Sequence, residues 1–90
     1  MKQAKIFLPR WSEVLITIHH LDPGDRYYQK LLRHTPAAAS YVREVIASLE
    51  EQGFLEIKRS SHIHRLVLTS SGNQLVYHLK EAAKLLRPDQ

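Results

Sequence analysis

The stretch Tyr41-Val42-Arg43-Glu44-Val45-Ile46-Ala47-Ser48-Leu49-Glu50-Glu51-Gln52-Gly53-Phe54-Leu55 changes its hydrophobic period at Gly53. Before the glycine, Val42, Val45, Ile46 and Leu49 recur three and four residues apart, the stripe of a helix with a period of about 3.6. After it, Leu55 and Ile57 alternate with Glu56 and Lys58, the period of about 2 that belongs to a strand. Glycine is the residue that most readily adopts the left-handed conformation needed just past a helix end, so Gly53 is expected there. A helix over 36–52 therefore runs directly into a strand. That single change of period selects a mainly α fold carrying a small β element, an α+β class.

Reading toward the C-terminus, Leu66 and Leu68 alternate with Arg65 and Val67, which completes a hairpin over 54–69 with its tip at Arg59-Ser60-Ser61-His62. The tip has no Asn-Gly signal, so its turn type is not set by the sequence. Thr69, Ser70 and Ser71 are candidate N-caps, and Ser71 with Gln74 fits a capping box. A last helix follows over 70–87, with Leu75, Leu79, Ala82 and Leu86 on one stripe, and it ends before Pro88. Reading toward the N-terminus, Thr35-Pro36 separates two helices, with Pro36 suited to a first helical turn. The helix before it is expected over 25–34, capped by Asp25, or by Asp22 with Pro23 as its first residue. Tyr28, Leu31 and Leu32 form its buried stripe, and Arg26, Lys30 and Arg33 its basic outer edge. The first helix spans 10–21, with Trp11, Val14, Leu15, Ile18 and Leu21 on one face. Residues 1–8 are a short strand or an extended basic arm, since Lys2, Lys5 and Arg10 precede any acidic residue.

The composition narrows the chemistry. Ninety residues with 43% hydrophobic and 24% charged side chains suit one domain over 1–90. No cysteine is present, so neither a disulfide nor a thiolate metal site can staple the core. No apolar run reaches the roughly 18–20 residues of a membrane span, and Met1-Lys2-Gln3 does not open a signal peptide, so a cytoplasmic location is expected. The net charge of +4 favours anionic partners. Catalysis is not expected: there is no cysteine nucleophile, no glycine-rich phosphate loop and no HExxH pair. The six histidines fall in pairs at most, too few for a zinc site within one chain, so no metal and no cofactor are expected.

The order helix, helix, helix, hairpin, helix resembles a winged helix-turn-helix domain. Two motifs carry the resemblance. Leu49-Glu50, followed after two residues by Gly53-Phe54, is similar to the step from recognition helix to wing in MarR-like and related small prokaryotic and archaeal regulators. Leu68-Thr69, followed after two residues by Gly72, resembles their step from the second wing strand into the last helix. The likeness spans roughly residues 10–87. It implies that the third helix enters the major groove of DNA while the wing touches phosphate or the minor groove. The long N-terminal helix of fuller MarR proteins is missing, so no small-molecule effector is expected.

The helical stripe decides which residues face a partner. Measured from Val42 at about 100° per residue, Ser40, Arg43 and Glu44 point outward, with Tyr41 on a flank. Arg43 is suited to a bidentate contact with guanine, Glu44 to cytosine N4, and Ser40 to base or phosphate. On the hairpin, Lys58, Arg59, His62 and Arg65 form a cluster with no acid among them, and Arg26, Lys30 and Arg33 would reach the same phosphate backbone. The last-helix stripe of Leu75, Leu79, Ala82 and Leu86 is longer than a small body needs, which predicts a homodimer interface; the alternative is packing on the first helix. The sequence thus reads as a double-stranded-DNA-binding transcriptional regulator, a homodimeric repressor. The rivals are a winged-helix module for protein–protein contacts and a viral or plasmid replication accessory protein. A protein-binding module would carry a neutral wing, and this wing is basic.

Overall fold

A computed structural model describes residues 8–60 and 62–86. Helix α1 spans Arg10–His20, a 3₁₀ turn spans Pro23–Asp25, α2 spans Tyr28–His34 and α3 spans Ala39–Glu51. Strands β1 (Leu55–Arg59) and β2 (His64–Leu68) form an antiparallel hairpin, and α4 (Ser70–Leu85) closes the order. This is the expected α+β architecture, arranged as a winged helix-turn-helix. Among the described residues no helix is long and apolar enough to cross a membrane.

The core is drawn from every element. Val14, Leu15 and Ile18 of α1 meet Leu31 of α2, Val42, Val45, Ile46 and Leu49 of α3, Leu55, Leu66 and Leu68 of the hairpin, and Val76 of α4. Leu15, Ile18, Leu31 and Val42 are fully buried. Burial of apolar area is the main stabilising term in so small a domain, and here it depends on the hairpin lying flat against the helices. The hairpin register does this: Leu55 pairs with Leu68 and Ile57 with Leu66, so all four apolar side chains share one face.

The junction between α3 and the hairpin explains why Gly53 and Gly72 matter. Gly53 has φ +85°, as expected. Its N–H donates to the Glu50 carbonyl (3.1 Å) and that of Phe54 to the Leu49 carbonyl (2.9 Å), the two bonds of a Schellman C-cap. Thr69 then ties this cap to the start of α4. Its backbone N–H donates to the Phe54 carbonyl (3.2 Å), and its hydroxyl donates to the Gly53 carbonyl (2.7 Å) and accepts from the Gly72 N–H (3.0 Å). Thr69 is therefore the cap, and the Ser71–Gln74 capping box is not formed. Helix α4 comes so close to the cap that a Cβ on Gly72 would sit 2.0 Å from the Phe54 carbonyl oxygen.

Three helix boundaries differ from expectation. Helix α2 begins at Tyr28 rather than 25, because Tyr27 forms a β-bridge with Arg65 and the Arg26 carbonyl accepts from the Leu66 N–H at 2.8 Å. Tyr27, held extended by this pairing, cannot also start a helix. Asp22 therefore precedes and Asp25 ends a 3₁₀ turn with Pro23 at its start, and no side-chain cap bond forms there. Helix α3 begins at Ala39 rather than Pro36, after the Ala37 N–H turns back to the Thr35 hydroxyl at 3.3 Å. Helix α4 ends at Leu85, and the expected strand or arm over 1–8 lies, apart from Leu8, outside the described residues.

Gly72→Ala is expected to lower unfolding free energy by about 3 kcal/mol, because backbone rather than a flexible side chain blocks the new methyl group. Gly24→Ala, with open space around it, should stay within about 0.5 kcal/mol. Urea unfolding of the two variants checks this; equal midpoints would contradict the close approach.

Candidate nucleic-acid interface

The hairpin alternation sorts the basic residues onto two faces. Arg59 pairs with His64 and lies on the same side as Ile57 and Leu66, toward α3. Lys58 pairs directly with Arg65 on the opposite side. The tip is closed by Ser60, whose N–H and hydroxyl both donate to the Ile63 carbonyl (3.0 and 2.8 Å). Arg59 is thus the last residue of β1 and not part of the tip, contrary to expectation.

An open cleft of about 440 Å³ separates α3 from the hairpin. Ile46, Ala47, Ile57 and Leu66 give it an apolar floor, and Arg43, Glu50, Arg59, His62 and His64 stand around it with Tyr27, Tyr28 and Gln29 from the start of α2. Arg43 is exposed and lies over the Tyr28 ring, 5.9 Å from its centroid. Tyr28 in turn reaches the first turn of α3, its hydroxyl 3.5 Å from the Ala39 carbonyl. Across the cleft the Arg59 guanidinium donates to both carboxylate oxygens of Glu50, at 3.2 and 3.3 Å. This hydrogen-bonded pairing raises the Arg59 pKa above its ordinary value. Among the described residues the ion pairs are Arg59–Glu50 and Lys84–Glu81, which leaves Lys30, Arg33, Arg43, Lys58 and Arg65 without an acidic partner.

The residues expected from helix 3 do not form one site. Ser40 and Arg43 are exposed beside each other, but Tyr41 is half-buried with the Arg10 guanidinium 5.0 Å above its ring. Tyr41 and Glu44 border a different hollow of about 300 Å³, shared with Trp11, Ser48, Gln52, Phe54 and Leu75 on the other flank of α3. Conversely, Glu50, Tyr27 and Gln29 line the cleft without having been singled out. Glu50 was findable, since seven residues separate it from Arg43 and place both on one helical face. Tyr27 was not, because only the bridge to Arg65 brings it there.

Arg26 also departs from expectation. It is no outer-edge residue of α2: its Nε donates to the Ile18 and Leu21 carbonyls (both 3.1 Å) and an Nη to the His19 carbonyl (2.9 Å). A cation at the carbonyl end of α1 caps it and complements its dipole. Lys30 is half-buried and Arg33 exposed. On α4, Leu75 and Leu79 are half-buried and pack against the core, and α4 lies along α1. Half of the anticipated dimer stripe is therefore used within the chain. Ala82 and Leu86 remain half-buried, while Tyr77 is 60% and Leu85 86% exposed.

His19, in the last turn of α1, has a buried Nδ1 with no hydrogen-bond partner. Burial, and after it the charges of Lys80, Arg26 and His20, lower its pKa below the ordinary 6.5. The unfolded chain therefore binds this proton more readily than the folded one.

No protein-family model matches the sequence, and no curated protein matches it. Solved structures do resemble it. The chain superposes on AF1382 from Archaeoglobus fulgidus with a TM-score of 0.80 at 24% identity, over 91% of this chain and 92% of that one. It superposes on F-93 of SSV1 with a TM-score of 0.66 at 20% identity, over 98% of this chain and 100% of that one. At such identities the likeness establishes a shared fold, not a shared chemistry.

Arg26→Ala should cost about 1–2 kcal/mol in urea unfolding, because three backbone carbonyls lose a charged donor, whereas Arg33→Ala should stay within about 0.5 kcal/mol. Equal losses would mean that Arg26 has no capping role. For His19, a lowered folded pKa means that its contribution to stability is complete above the unfolded value of 6.5 and declines as pH falls below it. His19→Asn should flatten the stability profile between about pH 7 and 5, and an unchanged slope would remove His19 as its source.

Proposed function

We propose that this chain binds double-stranded DNA and regulates transcription, acting in the cytoplasm as a homodimeric, non-catalytic repressor of MarR-like type. Helix α3 enters the major groove, and the hairpin lies on phosphate or in the minor groove. The observation that carries this reading is that Arg43 on the outer ridge of α3 faces Arg59 of the hairpin across a single cleft, with His62 and His64 beside it. Beyond it, the Lys58–Arg65 pair sets like charges opposite each other on a ladder. Such a pair is unfavourable in the free protein and is relieved by an anion such as a phosphate.

The roles separate by chemistry. Arg43, on its tyrosine platform, is the base-reading residue, a fork suited to guanine O6 and N7. Ser40 beside it takes base or phosphate. Lys58 and Arg65, joined by Lys30 and Arg33, neutralise phosphates and release counterions. Dimer contact runs over the outer side of α4 through Leu85, Leu86 and Ala82, since Leu75 and Leu79 are engaged with the core. A protein-binding reading rests on the hollow of Trp11, Tyr41, Phe54 and Leu75, whose lining is apolar with Glu44 and Gln52 at its border. It leaves the unpaired cations of the hairpin without a purpose.

A salt titration against a mixed-sequence duplex tests the proposal. Binding should weaken with a log–log slope of about −0.9 for each phosphate neutralised, about −3 to −4 for the four unpaired Lys and Arg of α2 and the hairpin. No binding at low salt would sink the DNA reading and favour the protein-binding one. Lys58→Ala should weaken all duplexes alike, whereas Arg43→Ala should change the sequence recovered by selection from random DNA. Sedimentation of Leu85→Glu should give a folded monomer; a wild type that is already monomeric ends the dimer claim.

A further inference from the structure

Glu50 is the acid that stands in the cleft, where Arg43 and Arg59 are the cations, and it lies on the same face of α3 as Arg43. Its carboxylate accepts one N–H from each Nη of the Arg59 guanidinium, at 3.2 and 3.3 Å. The side chains are 57% and 35% exposed, so water and salt reach the pair and it opens at little cost. The fork that Arg59 offers to Glu50 is the same fork that a phosphate would take, because both anions present two oxygens at similar spacing.

We propose that Glu50 competes with the DNA backbone for Arg59 and so limits sequence-independent binding. The inference rests on the DNA-binding reading and deepens it. In the free protein Glu50 neutralises Arg59 and holds it toward α3. A phosphate that takes the same Nη edge of Arg59 displaces the carboxylate, which then stands as an uncompensated negative charge beside the duplex. Backbone contact alone is therefore penalised at this position. The penalty falls on every duplex whose phosphate engages Arg59. Glu50 thus weakens the sequence-independent, backbone-driven part of binding. The neighbouring cations sharpen the argument: Lys58 and Arg65 lie on the opposite face of the hairpin and have no such competitor among the described residues.

A purely structural role for the pair predicts the opposite sign. If Glu50 only pinned the hairpin against α3, its loss would free the wing and weaken binding to every duplex.

The test is a double-mutant cycle of Glu50→Gln and Arg59→Ala, read by the affinity of the whole chain for a mixed-sequence duplex over a salt series. Circular dichroism confirms that each variant is folded. Glu50→Gln should tighten binding about two- to fivefold, the range of an exposed ion pair, and steepen the log–log salt slope by about 0.9 as Arg59 gains a phosphate. In the Arg59→Ala background the same substitution should change affinity by less than about twofold, because no guanidinium is left to release. Weaker binding by Glu50→Gln, or an undiminished gain without Arg59, overturns the proposal while leaving the DNA reading intact. A wild type that does not bind the duplex at low salt overturns both.

Discussion

Arg26 joins the parts of this molecule that would otherwise have no fixed relation. Its side chain donates to the carbonyls of Ile18, His19 and Leu21 at the end of α1, and its own carbonyl accepts from the Leu66 N–H in β2. A two-stranded hairpin is marginal by itself and takes its orientation from whatever it is anchored to. Here one anchor is the apolar face that carries Leu55, Ile57, Leu66 and Leu68, and the other is the backbone at residues 26–27, where Tyr27 bridges to Arg65. The first supplies stability without direction. The second is directional, because a hydrogen bond to one particular carbonyl sets where β2 lies along α1. The space between α3 and the hairpin follows from that setting, and with it the distance over which Arg59 can reach Glu50.

The same economy governs the other end of the hairpin. Phe54 follows the glycine that ends α3, and its carbonyl accepts from the Thr69 N–H that precedes α4. The strand pair is therefore held between two backbone junctions, one at the start of α2 and one at the start of α4. Neither junction is a side-chain contact that substitution could readily retune. Sequence variation is then free to act on the residues that project from the hairpin, which is where the unpaired cations are found.

How much of this could be read from the sequence depends on whether a feature is local. The period change at Gly53, the buried stripe of α3 and the alternation of the hairpin are properties of neighbouring residues, and all appear in the structure where they were expected. Failures occurred where a distant partner overrides local preference. Pro23 and Asp25 favour an early helix, but pairing of Tyr27 with Arg65, 38 residues later, holds the backbone extended. Arg26 has the spacing of an exposed helical cation and is instead drawn to the carbonyls of α1. Leu75 and Leu79 look surplus to one small body only until α4 is seen to lie along α1. On the candidate interface, Arg43 and the cations of the hairpin were legible as exposed charge. Their division between two faces follows from the same alternation, but the pairing of Arg59 with Glu50 was not legible, because it depends on how the hairpin lies against α3.

The hairpin register also changes what the net charge of +4 means. Lys58 and Arg65, on the outer face, set like charges opposite each other and have no acidic partner among the described residues. Arg59, two strand positions from a buried apolar pair, is already neutralised by Glu50. On the proposed DNA-binding reading, the outer face gathers phosphate, and the inner face yields the Nη edge of its cation when a carboxylate is displaced. The inner face opens on the helix that carries Arg43, so the Arg59–Glu50 pair stands beside that exposed cation. That adjacency, rather than the total of basic residues, is what distinguishes this surface from an ordinary solvated one.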